Sequence, residues 1–385
     1  MPKISIVKCS DYNPGDVRES IKEIFDSHKD FGKKINHGER VLLNPNLLLA
    51  KTPDKAITTH PEVLKAIAEE IINRGGKVLI GDSPGGRYSK DSLEKLYKIT
   101  GIYNVCRETG AEAVFFDNNE VIEKKNENGK AFRTFSLTGI IDEVDVIISV
   151  PKLKTHGLTI LTASVKNNFG FIPGYRKPLF HIKASERGQF AEMLIDLALT
   201  VKPDFTIVDG IWAMEGDGPS SGSPKNLGLV FGGSNQFALD WVISKICNID
   251  PLIIPTNKIA YQRGLIPDSN ELKISGKSIE EVKDESFVFP KGSLFDKIPA
   301  FISGFAKNKL IPKPVVNVDK CTGCKICFDN CYSKAIIMES GYPVFNYKKC
   351  IRCYCCHELC PESAIFLSIS KFVQRVIYRK MNLKL

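Results

Sequence analysis

A cysteine pattern written twice constrains this chain more than any other feature. "KCTGCKICFDNCYSKAI" at residues 320–336 overlays "KCIRCYCCHELCPESAI" at residues 349–365 with an offset of 29. Each copy places three cysteines three apart and a fourth four after the third: Cys321, Cys324, Cys327 and Cys331, then Cys350, Cys353, Cys356 and Cys360. Such spacing gathers soft thiolates on a tight loop, as a metal centre requires. Nine of the twelve cysteines lie between Cys321 and Cys360, a clustering that disulfide scaffolds do not need. The opening "MPKISIVKCS" holds no apolar run long enough for an export signal. The expected setting is therefore a reducing cytoplasm, with these cysteines kept as thiolate ligands. Cys9, Cys106 and Cys247 stand alone and read as small buried hydrophobes.

A four-iron cluster takes four thiolates, three from one loop and the fourth from the other motif. That rule groups Cys321, Cys324, Cys327 and Cys360 around one [4Fe-4S] cluster, and Cys350, Cys353, Cys356 and Cys331 around a second. Cys355 is left over. Residues 315–368 resemble the bacterial two-cluster ferredoxin, with eight cysteines in register and Pro361 after the last. Tyr332 stands where that family usually has proline. A pair of zinc sites is the alternative, but zinc ribbons use two separated cysteine pairs and no third cysteine in each loop. Ile326, Ile336, Val344, Phe345, Ile351 and Ile365 would supply an apolar shell for single-electron transfer.

A chain of 385 residues has room for two or three domains. Its net charge of +9 is unevenly placed. Residues 311–385 hold 12 Lys/Arg and 5 Asp/Glu, leaving 41 and 39 for the first 310 residues. The body is thus nearly neutral, and no nucleic-acid surface is expected. No run of about 20 apolar residues suggests a membrane span. The last stretch, "SISKFVQRVIYRKMNLKL", sets Phe372, Val373, Val376 and Ile377 at helical spacing beside Lys371, Arg375, Arg379, Lys380 and Lys384. A basic amphipathic helix of this kind lies on an anionic membrane or docks on protein.

The first 270 residues alternate short apolar strands with helices. "KISIVKC", "RVLLNPNLL", "KVLIGDSPGG", "AEAVFFD", "VDVIISVPKLKTH", "FTIVDG" and "NLGLVFGG" read as strands. "PEVLKAIAEEIINRGG", "GQFAEMLIDLALTVKP" and "NQFALDWVISKICNIDP" read as helices ended by glycine or proline. The expected fold class is α/β: a mixed or mostly parallel sheet with helices on both faces, plus a small C-terminal α+β ferredoxin-like module. The expected division is an α/β domain at 1–270, possible as two lobes, a connector at 271–314, the module at 315–368 and a basic amphipathic tail at 369–385.

Ligands of such sheets sit beyond the carboxyl ends of the strands. The residues there are rich in chemistry: Asn44 and Asn46, His60, Asp82 in "GDSPGG", Lys152, Lys154 and His156 in "PKLKTH", Lys166, Asn167 and Asn168 in "SVKNNFG", then Asp209, Glu215 and Asp217. Three lysines and two asparagines within seventeen residues suit an anionic ligand. The stretches "LNPNLL", "THPEVL", "GDSPGG", "PKLKTHGLTILTASVKNNFG" and "DGIWAMEGDGP" resemble the family called domain of unknown function 362, over about residues 40–250. Members with an attached ferredoxin module are familiar. The resemblance implies an architecture and a site, with no established reaction.

The sequence therefore predicts one cleft. His156, Asp209, Lys154 and His60 are its catalytic candidates. Lys152, Lys166, Asn167 and Asp82 are its substrate-binding candidates. Lys154 and Lys166 would hold the anion, His156 or Asp209 would move protons, and His60 would orient a neighbour or bind metal. Two classes of function remain open. One is an iron–sulfur oxidoreductase passing electrons to or from a small anionic substrate. The other is an electron carrier whose α/β domain recognises a redox partner protein or a ligand. No flavin or NAD motif is present, since GxGxxG is lacking. The expected place is an anaerobic cytoplasm, with contact to the inner face of the membrane through the tail.

Overall fold

The computed structural model describes residues 1–86, 89–268, 271–290 and 311–368. The tail at 369–385 and the connector residues 291–310 lie outside them. In chain order the strands up to residue 276 are β1 (Lys3–Lys8), β2 (Arg40–Pro45), β3 (Lys77–Asp82), β4 (Glu112–Phe115), β5 (Val121–Lys125), β6 (Thr134–Thr138), β7 (Val146–Val150), β8 (Lys152–His156), β9 (Ile160–Thr162), β10 (Phe205–Glu215), β11 (Ser223–Gly233) and β12 (Lys273–Gly276). Ten of them form one sheet, ordered β12-β1-β11-β10-β7-β2-β3-β4, with β8 and β9 attached beside β10. β10, β7, β2, β3 and β4 are parallel neighbours, whereas β11 runs antiparallel to β1 and β10.

Alternation along the strands explains why both faces are covered. Val41, Leu43, Val78, Ile80, Val146 and Ile148 enter one core, under the helices Pro14–Ser27 and Pro61–Asn73. Their neighbours Leu42, Leu79 and Ile147 enter a second core with the helix Arg187–Val201. A strand buried on both sides needs apolar residues at every position, which is why these runs are continuous. The helix Pro61–Asn73 starts on Pro61, with the His60 ring accepting from the Glu62 N–H, and gives way to Gly75 at φ 94°. Val63, Leu64, Ile67 and Ile71 form its buried stripe, so truncating Ile67 to alanine would cost about 2–5 kcal/mol.

Three sequence expectations shift. "VDVIISVPKLKTH" is two strands rather than one. Pro151 has no N–H for the ladder, and its carbonyl takes the Asp209 N–H at 2.9 Å while β8 moves to pair with β10. The first part of the expected connector belongs to the α/β unit: β12 pairs in parallel with β1, and Phe287 is buried in the core under the helix Gln236–Ile246. Cys106, expected to be buried, is only half-buried, unlike Cys9 and Cys247.

The module begins inside the expected connector, at β13 (Lys313–Val316). It continues through β14 (Ile336–Glu339), β15 (Tyr342–Phe345) and β16 (Ile365–Ser368), paired β13 with β16 and β14 with β15. The 29-residue repeat recurs in its backbone. Gly323 and Arg352, Lys325 and Tyr354, Lys334 and Ser363 all have positive φ, between 48° and 67°. Each loop therefore makes the same sharp turns around its cysteines, including at non-glycine positions where such a φ is costly.

Candidate functional site

Two small cavities lie inside the module, each of about 20 Å³. Cys321, Cys324, Cys327 and Cys360 line the first. Cys331, Cys350, Cys353 and Cys356 line the second, together with Cys355. Backbone N–H groups already aim at the distal sulfurs: Ala335 at Cys331 Sγ, 3.3 Å, and Ala364 at Cys360 Sγ, 3.2 Å. Four soft ligands around a cavity, with N–H donors to sulfur, fit an iron–sulfur cluster.

The module sits on the carboxyl edge of the large sheet. His156, at the end of β8, meets Glu358 of the helical turn Cys355–Glu358, with Nε2 3.2 Å from Oε1. His156 Nδ1 accepts the Leu158 and Thr159 N–H groups, so the proton sits on Nε2, facing Glu358. Burial holds this imidazole well below its usual pKa and keeps it neutral. Leu359 packs with Leu48, Leu49, Ile57 and Met214. Tyr354 joins the second core, and a Cβ on Gly157 would meet Leu367 at 2.9 Å, so glycine lets the two surfaces close.

Between these surfaces lies a cavity of about 70 Å³. The sheet side supplies Asn46 and Asp82 from strand ends, then Lys166, Asn167, Lys177 and His181. The module side supplies Asn330, Cys355, Glu358 and Leu359. Lys166 and Asn167 ride on the short helix Ser164–Asn167, whose first N–H groups are held by the Asp240 carboxylate at 2.8 and 3.1 Å. Burial raises that carboxyl to about 6. The Asn167 amide donates to Asn44 O, Asn44 Oδ1 and Ser149 Oγ, which fixes it against β2 and β7. Asp82 accepts from Leu47 N at 2.8 Å and from the Asn44 amide at 3.2 Å, so it clamps the loop after β2.

The cationic wall is incompletely paired. No hydrogen bond or ion pair among the described residues holds Lys166 Nζ, whose contact is the face of Phe169 at 4.8 Å. The Lys177 ammonium lies 5.4 Å from the same ring and donates to Ser83 O. Burial pushes Lys177 down to about 8 and Lys166 below the usual lysine range. His181 Nδ1 and Asn46 Oδ1 are buried without hydrogen-bond partners. His181 stacks on Phe190, and burial pushes it down to about 3.

The remaining candidates lie elsewhere. Lys152 and Asp209 form a fully buried ion pair at 3.0 Å, and the Tyr12 hydroxyl closes it, accepting a hydrogen bond from Lys152 at 2.6 Å and donating one to Asp209 at 2.8 Å. His60 stacks on Tyr12 at 3.5 Å, and its own N–H donates to Asp209. Lys154 donates to Ile57 O at 2.6 Å, behind the cavity, and burial lowers it to about 7. The structure thus brings Lys166, Asn167 and Asp82 together at the cavity, sets His156 at the joint, ties Lys154 to the Ile57 carbonyl, and puts Lys152, Asp209 and His60 in a separate network. β8 presents Lys152 and Lys154 at alternate positions, yet each ammonium finds a different partner because β10 carries Asp209 beside the first.

The model of the family described as Domain of unknown function (DUF362) matches residues 41–245, more than half of the chain. The chain belongs to this family. A 4Fe-4S dicluster domain matches residues 313–361, which makes it an iron–sulfur member of DUF362. It is 32% identical over 289 residues to a thylakoid-associated protein of Synechocystis sp., spanning 75% of this chain and 88% of that protein. The lactate racemase apoprotein from Thermoanaerobacterium thermosaccharolyticum is similar at a TM-score of 0.39 and 12% identity, over 61% of this chain and 54% of that one. A likeness of that size carries no argument about function.

Within this DUF362 chain, sequence reasoning places His181, with His60 and His156, in or near loops at the site edge, but missed Lys177, Glu358 and the place of Cys355. Lys177 and His181 lie on the helix Lys177–Lys183, which follows no strand end. Glu358 and Cys355 reach the cavity only because the module docks there. The one available signal was Cys355 itself, a fourth cysteine in a loop that needs three.

Proposed function

We propose that this protein is an iron–sulfur oxidoreductase in which a small anion is bound between Lys166 and Lys177 on one side and the Cys355–Glu358 turn on the other. The observation that carries the reading is that one cavity is lined both by the unpaired Lys166 ammonium and by Cys355 of the second cysteine loop. Two [4Fe-4S] clusters, when bound, supply single electrons at that wall. The chain's residues do the rest. Lys166 and Lys177 attract and orient the anion. Asn46 and His181 offer buried polar atoms that a ligand would satisfy. Glu358 and His156 keep the module closed over the cavity, and Leu359 excludes water.

Size limits the ligand. One water needs roughly 10–15 Å³ of such space, so about 70 Å³ admits a ligand of a few non-hydrogen atoms. A flavin or a nicotinamide dinucleotide could not be enclosed in that space. Small carboxylates and inorganic oxyanions remain. On the outer side of the module Cys324 is exposed, which suits electron exchange with a redox partner protein. No helix among the described residues is long and apolar enough to cross a membrane. The basic tail, together with the relative's description as thylakoid-associated, supports peripheral contact with an anionic membrane from the cytoplasmic side. Deleting residues 369–385 should then release the protein from anionic vesicles, and equal binding by both forms would remove the membrane part.

The functional test is reoxidation. Anaerobically reduced protein mixed with small carboxylic acids and oxyanions should be reoxidised by at least one of them without a second protein. Reoxidation that always requires another protein would favour an electron carrier instead.

A further inference from the structure

Three asparagines run from the sheet to the cavity, and their hydrogen bonds fix which way each amide faces. Asn44, on β2, donates its Nδ2 to the Gly81 carbonyl at 3.0 Å. A carbonyl only accepts, so Asn44 Oδ1 is the atom turned to Asn167. Asn167 Nδ2 meets that oxygen at 3.1 Å and also donates to the Asn44 carbonyl at 3.0 Å. Asn167 Oδ1 is therefore left for Asn46, which meets it through Nδ2 at 3.3 Å. The Asn46 backbone is held as well: its N–H donates to Thr59 Oγ1 at 2.8 Å, and its carbonyl accepts from the Thr59 N–H at 3.1 Å. What remains is Asn46 Oδ1, a buried acceptor without a partner. Turning the amide over gives no relief, because it would set Oδ1 against the Asn167 oxygen.

Asn46 lines the same cavity as Lys166, Lys177 and His181. His181 Nδ1 is a second unpartnered atom of that wall, in a side chain only 6% exposed. Buried polar atoms are rarely left unfilled, so both point to a ligand. The two lysines require negative charge, whereas Asn46 Oδ1 requires a donor. A plain carboxylate only accepts, and would set its lone pairs against that oxygen. An ammonium group would donate, but the two lysines would repel it. A hydroxyl donates without adding charge. We propose that the cavity takes a small hydroxycarboxylate, with its carboxylate toward Lys166 and Lys177 and its hydroxyl donating to Asn46 Oδ1. Asn46 thereby selects the ligand and the lysines attract it. The inference deepens the small-anion reading above and rests on it.

The test is calorimetry on full-length, anaerobically prepared protein, with glycolate and acetate as probes. The two acids share one charge and differ by a hydroxyl. Inorganic phosphate is the third probe and reports on the anion site itself. Native protein should bind glycolate roughly 5–150-fold more tightly than acetate, the factor by which an unfilled buried acceptor weakens binding. Asn46→Ala should bring the two affinities level, mainly by weakening glycolate. Equal affinities in native protein would overturn the inference, and this comparison needs no variant. A preference for glycolate that survives in Asn46→Ala would also overturn it, as would native protein that binds phosphate and neither acid. In these three cases binding of phosphate leaves the small-anion reading standing. Native protein that binds none of the three probes would remove that reading and the inference together.

Discussion

His156 and Glu358 meet at 3.2 Å across the junction of the two units, one from the large sheet and the other from the cysteine module. The contact is between a buried neutral imidazole and a carboxyl that burial holds above its usual pKa. It sets the module's second loop over the cavity and leaves Cys355 and Glu358 in its wall.

The joint should be sensitive to acid. His156 is held well below its usual pKa by burial, and His181 is pushed down to about 3. Each binds its proton more readily when unfolded. Stability is therefore fully present above the unfolded value of about 6.5 and falls as pH drops below it. A histidine lowered as far as His181 should cost about 2 kcal/mol between pH 7 and pH 5, and His156 acts in the same direction. Denaturation measured across that range should show the loss, and His181→Phe should reduce it. An identical pH dependence in that variant would contradict the assignment.

Lys166 should matter for binding and little for stability. Its ammonium is partly buried and holds no protein partner among the described residues, so Lys166→Gln removes no existing ion pair. A charge-assisted hydrogen bond contributes about 1.5–3 kcal/mol, which corresponds to roughly 10–150-fold in affinity. Calorimetry with inorganic phosphate as probe should show a loss in that range. Because Lys177 is lowered to about 8, affinity should also weaken as pH rises through 8.

Asp209 should behave in the opposite way. Asp209→Ala leaves Lys152 buried without its partner at 3.0 Å, at a cost of about 3–5 kcal/mol. Phosphate affinity should be unchanged in any folded fraction. A strong loss of binding with intact stability would return Asp209 to the cavity.

Those two residues show where the sequence was readable. The parallel strands were legible because burial on both faces demands apolar runs such as Val146–Ile148. The cysteine assignment was legible because ligand spacing is local. The anion wall was only half legible. Lys166, Asn167 and Asp82 follow the rule that ligands gather at strand ends, but the same rule also selected Lys152, Asp209 and His60. Which charges pair with each other depends on the register of β8 against β10, with Lys152 opposite Asp209, and no local pattern encodes that register. Lys177, Cys355 and Glu358 were hidden for a related reason: their place depends on chain segments far apart in sequence.

Cluster ligation gives a further check. Cys360→Ala and Cys331→Ala should each lower the iron content by about half, because each residue completes a different set of four. Loss of all iron from either variant would indicate that the module folds only when both centres are filled.

The central claim is that the cavity between Lys166 and Cys355 is where electrons meet a small anion. Its most direct measurement follows the reduced clusters' absorbance after anaerobic mixing with small carboxylic acids and oxyanions, in native protein and in Lys166→Gln. The account predicts that at least one acid reoxidises the native protein by itself, and does so at least about tenfold more slowly in the variant. Reoxidation at equal rates in both proteins, or only after a second protein is added, would contradict it.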